Sequence, residues 1–111
     1  MARAEVKRGE IWLIDLGLAQ KIRPAVVLSV PPLEEERVLV SYVPRTTAVR
    51  RTRFEVPHTA PNFLPGVFDA QSLGTVPAVK LVRKLAIVDS RTMTLVEASV
   101  CRWLGLATAQ A

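Results

Sequence analysis

The stretch EIWLIDLGLAQKIRPAVVLSV, residues 10–30, decides how the chain folds, because it contains two consecutive runs of β-forming residues. The first run, 10–16, is apolar at nearly every position, which is typical of a strand packed on both faces or of a curved barrel strand. The second run, 24–30, begins with Pro24, which has no N–H for a strand ladder and is expected at the first position. Arg23 must then leave the core at the mouth of this strand, either as a solvated charge or as the positive half of a site.

Further short strands are predicted on the C-terminal side of this stretch. The patterns indicate a third strand over 37–43 closed by Pro44, a strand over 51–57, a loop over 58–66, a short strand over 67–76 and a last strand over 80–88. The segment 51–57 alternates charged with apolar residues, as in a strand with one solvated face, so we expect it to border a site.

The remainder of the chain changes to a helical period. Apolar residues recur at helical spacing at Met93, Val96, Val100, Trp103 and Leu104. This stripe predicts an amphipathic helix over about 90–104, with Ser90 or Asp89 as its N-cap and Gly105 at its end. The chain is therefore expected to form one domain, 1–111, that is mainly β with a C-terminal helix. Its sheet should be small, antiparallel and strongly bent or barrel-like.

Composition excludes several classes of protein. The longest apolar runs fall well short of the roughly 20 residues of a membrane span, and the first ten residues lack the apolar stretch of a signal peptide, so a cytoplasmic protein is expected. The single cysteine, Cys101, cannot form an internal disulfide or a cysteine-based zinc site. The single histidine, His58, is expected as an exposed loop residue and excludes a His-pair nuclease. With no glycine-rich phosphate loop and no cluster of acids, we expect no metal and no cofactor.

The charge of the chain favours a polyanionic partner. Fifteen Lys and Arg against ten Asp and Glu give a formal net charge of +5, and the sequence pI is about 10.1. Four arginines without an intervening acid lie in RTTAVRRTR, residues 45–53. This segment is either a solvated charged loop or a surface that contacts nucleic acid.

Five segments together resemble a known family. KRGEIWLIDL, IRPAVVLS, YVPRTT, FEV and a glycine-containing loop leading to DAQS match, in order and spacing over about 7–105, the MazF/PemK toxins of bacterial toxin–antitoxin pairs. The resemblance implies an SH3-like small barrel of the MazF/PemK/CcdB type with a terminal helix. It also implies a homodimer that cleaves single-stranded RNA at short sequences without metal.

The resemblance implies that Arg23 and Thr46 occupy the two catalytic positions. In RNA the 2′-OH can attack the adjacent phosphate, so the protein must align that attack and stabilise the additional negative charge. An arginine offers planar, paired donors for phosphate oxygens, and the threonine adds a neutral hydrogen bond.

The resemblance also indicates which residues contact RNA. Backbone contacts are expected from Arg45, Thr47, Arg50 and Arg53, while Gln71 and Ser72 resemble the Asp-Gln segment that lies beside the site in the family. Phe54 and Phe63 are candidates for base stacking, being next to the basic segment, whereas Trp12 and Trp103 are expected to be packing residues.

The sequence departs from the family pattern at two places. Ala70 stands where the family has an acid, and the preceding Asp69 points to the opposite face if the strand is regular, so the chain must work without that acid or use a bulge. The first loop, 17–22, is shorter than is common in the family.

An alternative keeps the fold and abandons catalysis. A small basic barrel could bind nucleic acid, or a protein target as in the related gyrase-poisoning toxins, through many weak cationic contacts. Under either interpretation, an acidic, partly disordered, MazE-like antitoxin is the expected protein partner.

Overall fold

The computed structural model describes residues 5–17 and 21–107, and the middle of the short first loop, 18–20, lies outside the described residues. Seven β-strands and one α-helix are found in the described ranges. The strands are β1 (Glu10–Asp15), β2 (Ile22–Val27), β3 (Leu39–Thr46), β4 (Glu55–His58), β5 (Gly66–Asp69), β6 (Gly74–Pro77) and β7 (Leu81–Ile87), and the helix α1 is Ser90–Leu104. Short 3-10 turns occupy Ala70–Ser72 and Ala78–Lys80. The predicted fold class, mainly β with a C-terminal helix, is confirmed.

Strand β3 is the central strand of an antiparallel sheet. The strands follow one another in the order β4-β5-β3-β2-β1-β7, and β6 pairs with the remaining part of β3. One edge of β3 therefore pairs with β2, and the other edge pairs first with β6 and then, at its last two residues, with β5. The end of β3 is thus the point at which three strands meet.

Side chains alternate between two buried surfaces of the sheet. On the helix face, Val43 packs in the same cluster as Phe68 and the α1 residue Val96. On the opposite face, which we call the cavity face, Tyr42 packs with Ile14 in a smaller cluster. The period of two along β3 therefore assigns each residue near its end to one of these faces.

Strand β1 is buried on both faces, as its sequence predicts. Ile11 belongs to the helix-face cluster and Ile14 to the cavity-face cluster, and both are fully buried. Trp12 is a packing residue, as predicted, and its Nε1 donates a hydrogen bond to Glu10 at 3.0 Å. The buried Glu10 carboxylate also forms an ion pair with Lys84 at 3.0 Å. Burial by itself would raise the pKa of Glu10, but these contacts and a backbone hydrogen bond lower it.

Pro24 and Pro44 both lie inside strands, so the strand boundaries predicted at these two residues are wrong. Pro24 is the third residue of β2 and pairs with β1, while the pairing of β2 with β3 begins only at Ala25. Pro44 lies between Tyr42, the last residue paired with β6, and Arg45, the first paired with β5. A proline is tolerated in a strand where one neighbouring strand is missing, and both positions meet this condition.

Two predicted strands are shorter than expected, whereas the helix is confirmed. The fourth strand begins at Glu55 rather than at residue 51, and a 3-10 turn divides the predicted strand 67–76 into β5 and β6. Helix α1 begins after Asp89, whose side chain accepts a hydrogen bond from the Thr92 N–H at 2.8 Å, and Gly105 ends it with φ 71°. In the described ranges, no helix has the length and apolar character needed to cross a membrane.

Candidate active site

Arg23 and Thr46 come together through the register of β2 with β3. The observed pairs are Ala25 with Pro44, Val26 with Val43, and Val27 with Tyr42. Continuing this antiparallel register by two residues brings Arg23 opposite Thr46 on the cavity face. The two proposed catalytic residues thus lie at the start of one strand and the end of its neighbour.

An open cavity of about 560 Å³ lies at this end of the sheet. It is lined by Leu16, Arg23, Tyr42, Pro44, Arg45, Thr46, Ala48, Arg50, Asp69 and Ser72. A smaller cavity of about 270 Å³ adjoins it, because Arg23 and Thr46 border both cavities, and Lys21 and Thr47 line the smaller one. The surface around the Arg23–Thr46 pair is therefore rich in cationic and hydroxyl groups.

The hydroxyl of Thr46 is oriented by the backbone beyond the strand. Its oxygen accepts a hydrogen bond from the Ala48 N–H at 3.0 Å. Because a threonine hydroxyl has one proton to donate besides its lone pairs, this contact leaves the O–H free to donate to an anion in the cavity.

Asp69, which was not among the predicted site residues, faces the cavity. Val67 pairs with Thr46, so Asp69, two residues further along β5, shares the face of Thr46, and it lines the large cavity. Ala70 is instead buried in the helix-face cluster. The expectation that a regular strand would turn Asp69 away from the site is wrong, since alternation places Asp69 on the cavity face and Ala70 in the core.

The Asp69 carboxylate also shapes the 3-10 turn that follows it. It accepts hydrogen bonds from the Gln71 N–H at 3.1 Å and from the Ser72 hydroxyl at 3.0 Å. Ser72 lines the large cavity, as predicted for a site residue, whereas Gln71 is exposed and is not one of the lining residues.

The basic segment after β3 is held by Glu55. Its carboxylate accepts hydrogen bonds from the backbone N–H groups of Arg50, Arg51 and Thr52 at 2.6 to 3.2 Å. Burial would raise the pKa of Glu55, but these N–H groups and the charge of Arg50 lower it. The loop therefore has a fixed backbone, and Arg50 is the arginine of this loop that lines the large cavity.

Arg45 is a buried structural residue, which corrects its assignment as an RNA-backbone contact. The residue borders both cavities but is only 4% exposed, and its guanidinium donates to the Nδ1 atom of His58 at 2.8 Å. It also donates to the carbonyl oxygens of His58 at 2.9 Å and Leu64 at 2.6 Å. The physical reason is the alternation along β3, because Arg45 shares the helix face with Val43.

His58 is buried as well, which corrects its expected position in an exposed loop. It is the last residue of β4, is 9% exposed, and lies against the rings of Phe63 and Phe68. Burial lowers the pKa of His58, the charge of Arg45 lowers it further, and Asp89 partly opposes both effects.

Phe54 and Arg53 lie at the end of the helix rather than in the cavity. Phe54 is 8% exposed and packs edge-on against Trp103 at 5.3 Å, so it has no free face for stacking on a base. The Arg53 guanidinium lies 4.6 Å from the Phe54 ring centre. Phe63 is half-buried against His58. The prediction that Phe54 stacks on a base is therefore wrong, because Phe54 is a packing residue. Arg53 lies beside it, apart from Arg23 and Thr46.

Tyr42, Leu16 and Asp69 are cavity residues that the sequence analysis missed. Alternation along the strands indicates two of them. Tyr42 lies four residues before Thr46 on β3, and Asp69 lies two residues after Val67, the residue of β5 that pairs with Thr46. Leu16 follows the end of β1, but it lies two residues after Ile14 and packs in the same cluster, so alternation along the predicted strand 10–16 indicates it as well. Among residues 5–17 and 21–107, no three His, Cys, Asp or Glu side chains are grouped closely enough to hold a metal ion.

Known proteins share both the sequence pattern and the fold. Residues 7–104 match the family described as "PemK-like, MazF-like toxin of type II toxin-antitoxin system". The structure is similar to Mycobacterium tuberculosis toxin MazF-mt6, with 25% identity, a TM-score of 0.77, and coverage of 89% of this chain and 99% of that one. It is also similar to an endoribonuclease in complex with its cognate antitoxin from a mycobacterial species (24% identity, TM-score 0.79, 93% and 98% covered). A MazE-MazF crystal structure from Deinococcus radiodurans gives 20% identity and a TM-score of 0.79, with 95% and 100% covered.

The match extends over nearly the whole chain and includes the strands that carry Arg23 and Thr46. The resemblance inferred from the sequence is confirmed. The chain belongs to the family of PemK-like and MazF-like toxins of type II toxin–antitoxin systems.

Proposed function

We propose that the chain is an endoribonuclease that cleaves single-stranded RNA by attack of a ribose 2′-OH on the adjacent phosphate. The new bond joins the 2′-oxygen to phosphorus, and the bond from phosphorus to the 5′-oxygen breaks. The products are a 2′,3′-cyclic phosphate and a 5′-OH end, with one proton leaving the 2′-oxygen and one reaching the 5′-oxygen. The observation that carries the proposal is the convergence of Arg23 and Thr46 at one open, cationic cavity.

Arg23 is the proposed electrophilic catalyst. Its guanidinium can donate two parallel hydrogen bonds to phosphate oxygens and stays charged at any pH relevant to a cell. It is carried by β2, whose backbone is paired with β1 at this position. A donor fixed in advance stabilises the dianionic phosphorane without reorganisation during the reaction.

Thr46 is the proposed neutral donor to the same phosphate. Its oxygen already accepts the Ala48 N–H, so the hydroxyl proton is directed away from that contact. A neutral donor beside a cationic one adds a hydrogen bond to the phosphate without adding a second positive charge.

The RNA path is proposed to follow Arg50, Thr47 and Ser72, which border the two cavities. Gln71, exposed beside Ser72, belongs to the same rim. Asp69 is the one carboxylate among the residues that line the large cavity, and it supplies an acceptor for the amino group of a base or for a ribose hydroxyl.

Two partners follow from membership of the family and from charge. An acidic antitoxin would place carboxylates against the arginines of the cavity and so block the site. We also propose a homodimer in the cytoplasm, and light scattering that gives a stable monomer of 12.2 kDa would contradict the dimer.

The test is incubation of the purified protein with a long single-stranded RNA in EDTA, followed by mapping of the fragment ends. Wild type should give 5′-OH fragments, and Arg23→Ala should lower the rate by about 10²- to 10³-fold. Arg91→Ala, an exposed arginine of α1 that removes the same charge, is the matched control and should cleave normally. RNA that stays intact but is retained in a salt-sensitive complex would support the non-catalytic alternative.

A further inference from the structure

A buried Arg45–His58 pair lies directly behind Thr46. The Arg45 Nε atom donates to the His58 Nδ1 atom at 2.8 Å, and a terminal nitrogen of the guanidinium donates to the His58 and Leu64 carbonyls. The Phe63 ring covers the pair, with the guanidinium carbon 4.9 Å from the ring centre. This cluster ties the end of β3 to β4 and to the loop between β4 and β5.

The position of Arg45 in β3 makes the cluster relevant to Thr46. Arg45 and Thr46 are consecutive residues that pair with Phe68 and Val67 of β5, and β3 ends at Thr46. The two side chains point to opposite faces of the sheet. Arg45 therefore anchors, from the buried face, the end of β3 at which Thr46 presents its hydroxyl to the cavity.

The contact with His58 requires a neutral imidazole. Nδ1 can accept the Arg45 N–H only while it carries no proton, because both ring nitrogens of a charged imidazole are donors. Protonation would set two N–H groups against each other at 2.8 Å beside an existing positive charge. The charged groups that act on His58 are Arg45 on β3 and Asp89 before α1, while the rings of Phe63 and Phe68 that pack on it are neutral.

We propose that Arg45 is a positioning residue for Thr46 and that neutral His58 is the acceptor that holds it, so that protonation of His58 in acid releases the end of β3 and lowers the rate of RNA cleavage. The kinetic part of this inference rests on the proposed function of Thr46. A purely structural role would change the stability of the protein but not the turnover of the folded fraction.

Two variants separate these possibilities. His58→Asn retains an acceptor near the position of Nδ1 but has no titrating group, and His58→Phe retains an aromatic ring without an acceptor. We would measure kcat and KM between about pH 5 and 8, using a single-stranded RNA that contains one mapped cut site. His58→Phe should lower kcat by about 10-fold or more with little change in KM, because a displacement of about 1 Å at a catalytic group can reduce rate by ~10². His58→Asn should restore most of kcat and remove the acid limb of the wild-type profile.

An arm that needs no activity uses NMR. Since the chain has one histidine, its imidazole signals need no further assignment. The backbone amide signals of Thr46 and Ala48 should titrate with the same midpoint as the His58 ring in wild type and stay constant in His58→Asn. If wild type cleaves no RNA, the proposed function fails, but this coupling still decides whether His58 sets the end of β3.

The inference is overturned if a folded His58→Phe protein keeps wild-type kcat, if His58→Asn keeps the acid limb, or if the Thr46 amide ignores the titration of His58. Should His58→Phe fail to fold, the comparison of wild type with His58→Asn decides. Should His58 stay neutral down to acid unfolding, the acid-release part of the inference is wrong, and the His58→Phe and His58→Asn rates at neutral pH decide the positioning role of Arg45.

Discussion

Gly66 at the start of β5 offers the sharpest test of how closely Thr46 is held. A methyl group added at this position would lie 2.5 Å from the Thr46 carbonyl oxygen and 3.0 Å from a terminal nitrogen of Arg45. Gly66 itself pairs with His58, and the next residue pairs with Thr46. The substitution Gly66→Ala therefore presses on the backbone of the proposed catalytic residue without touching the cavity.

The size of the effect follows from these distances. Ordinary contact begins at about 3.4 Å, so the new methyl group is about 0.9 Å too close to a backbone atom that cannot rotate away. Because β5 pairs with β4 on one edge and with β3 on the other, it cannot move aside without breaking a ladder. Overpacking of this kind destabilises a protein by about 1–3 kcal/mol. A shift of up to about 1 Å at Thr46 should lower kcat by about 10- to 100-fold.

Gly105→Ala is the matched control. Gly105 ends α1 with φ 71°, and nothing lies within 4 Å of the position of an added methyl group. The left-handed backbone should cost about 1–2 kcal/mol for a residue with a side chain. Both variants should therefore lose comparable stability in urea unfolding, but only Gly66→Ala should lose activity in single-turnover cleavage of RNA.

If folded Gly66→Ala cleaves RNA at the wild-type rate, the backbone of Thr46 is not held as closely as these distances indicate. The same prediction fails if Gly105→Ala, measured well below its unfolding transition, loses as much activity as Gly66→Ala. In that case activity would follow overall stability rather than the position of Thr46.

Three further predictions concern a cap, a loop and a titration. Asp89→Ala removes the N-cap of α1 and should lower the free energy of unfolding by about 1 kcal/mol, seen in urea, with the rate of cleavage at neutral pH unchanged. Glu55→Gln removes the charge that holds the N–H groups of Arg50 and Thr52, so KM for RNA should rise more than kcat falls; an unchanged KM would show that the loop does not need this anchor. Because the folded pKa of His58 lies below its ordinary 6.5, the unfolded chain binds the proton first, and stability should be constant above about pH 6.5 and fall as pH drops below it. His58→Asn should lack this component in unfolding curves measured across that range.

The sequence predicts the elements of this fold better than their ends. The alternating and helical periods of apolar residues locate the strands and α1, because those periods record which side chains are buried. Pro24 and Pro44 led to wrong predictions of the strand boundaries. Each proline is tolerated inside its strand because no neighbouring strand pairs with it on one edge. That depends on the pairing of β3 with β2, β5 and β6, which no local pattern specifies.

The candidate site divides in the same way. Arg23 and Thr46 follow from the motif, and their common face follows from the register once β2 and β3 are known to pair. The roles of Arg45 and His58 do not follow from residue type, since both are polar, Arg45 lies in an arginine-rich segment and His58 begins a predicted loop. Arg45 and His58 are 13 residues apart in the sequence, and the hydrogen bond that accompanies their burial forms only when the fold brings them together. Alternation from Val43 would have indicated that Arg45 turns inward, a signal that its place in an arginine-rich segment concealed.

The buried arginine also bears on the electrostatics of the cavity. The acceptors of its hydrogen bonds are a neutral imidazole and two carbonyl oxygens, so these contacts use three of its N–H groups without cancelling its charge. Burial lowers the pKa of Arg45, but an arginine begins far enough above neutrality to stay charged. A charge inside the protein is screened less than one in water. Arg45 therefore adds to the positive potential behind Thr46, where Arg23 and Arg50 already face the cavity. The anionic transition state of the proposed reaction would benefit from all three charges, although Arg45 is buried and only the other two could touch it.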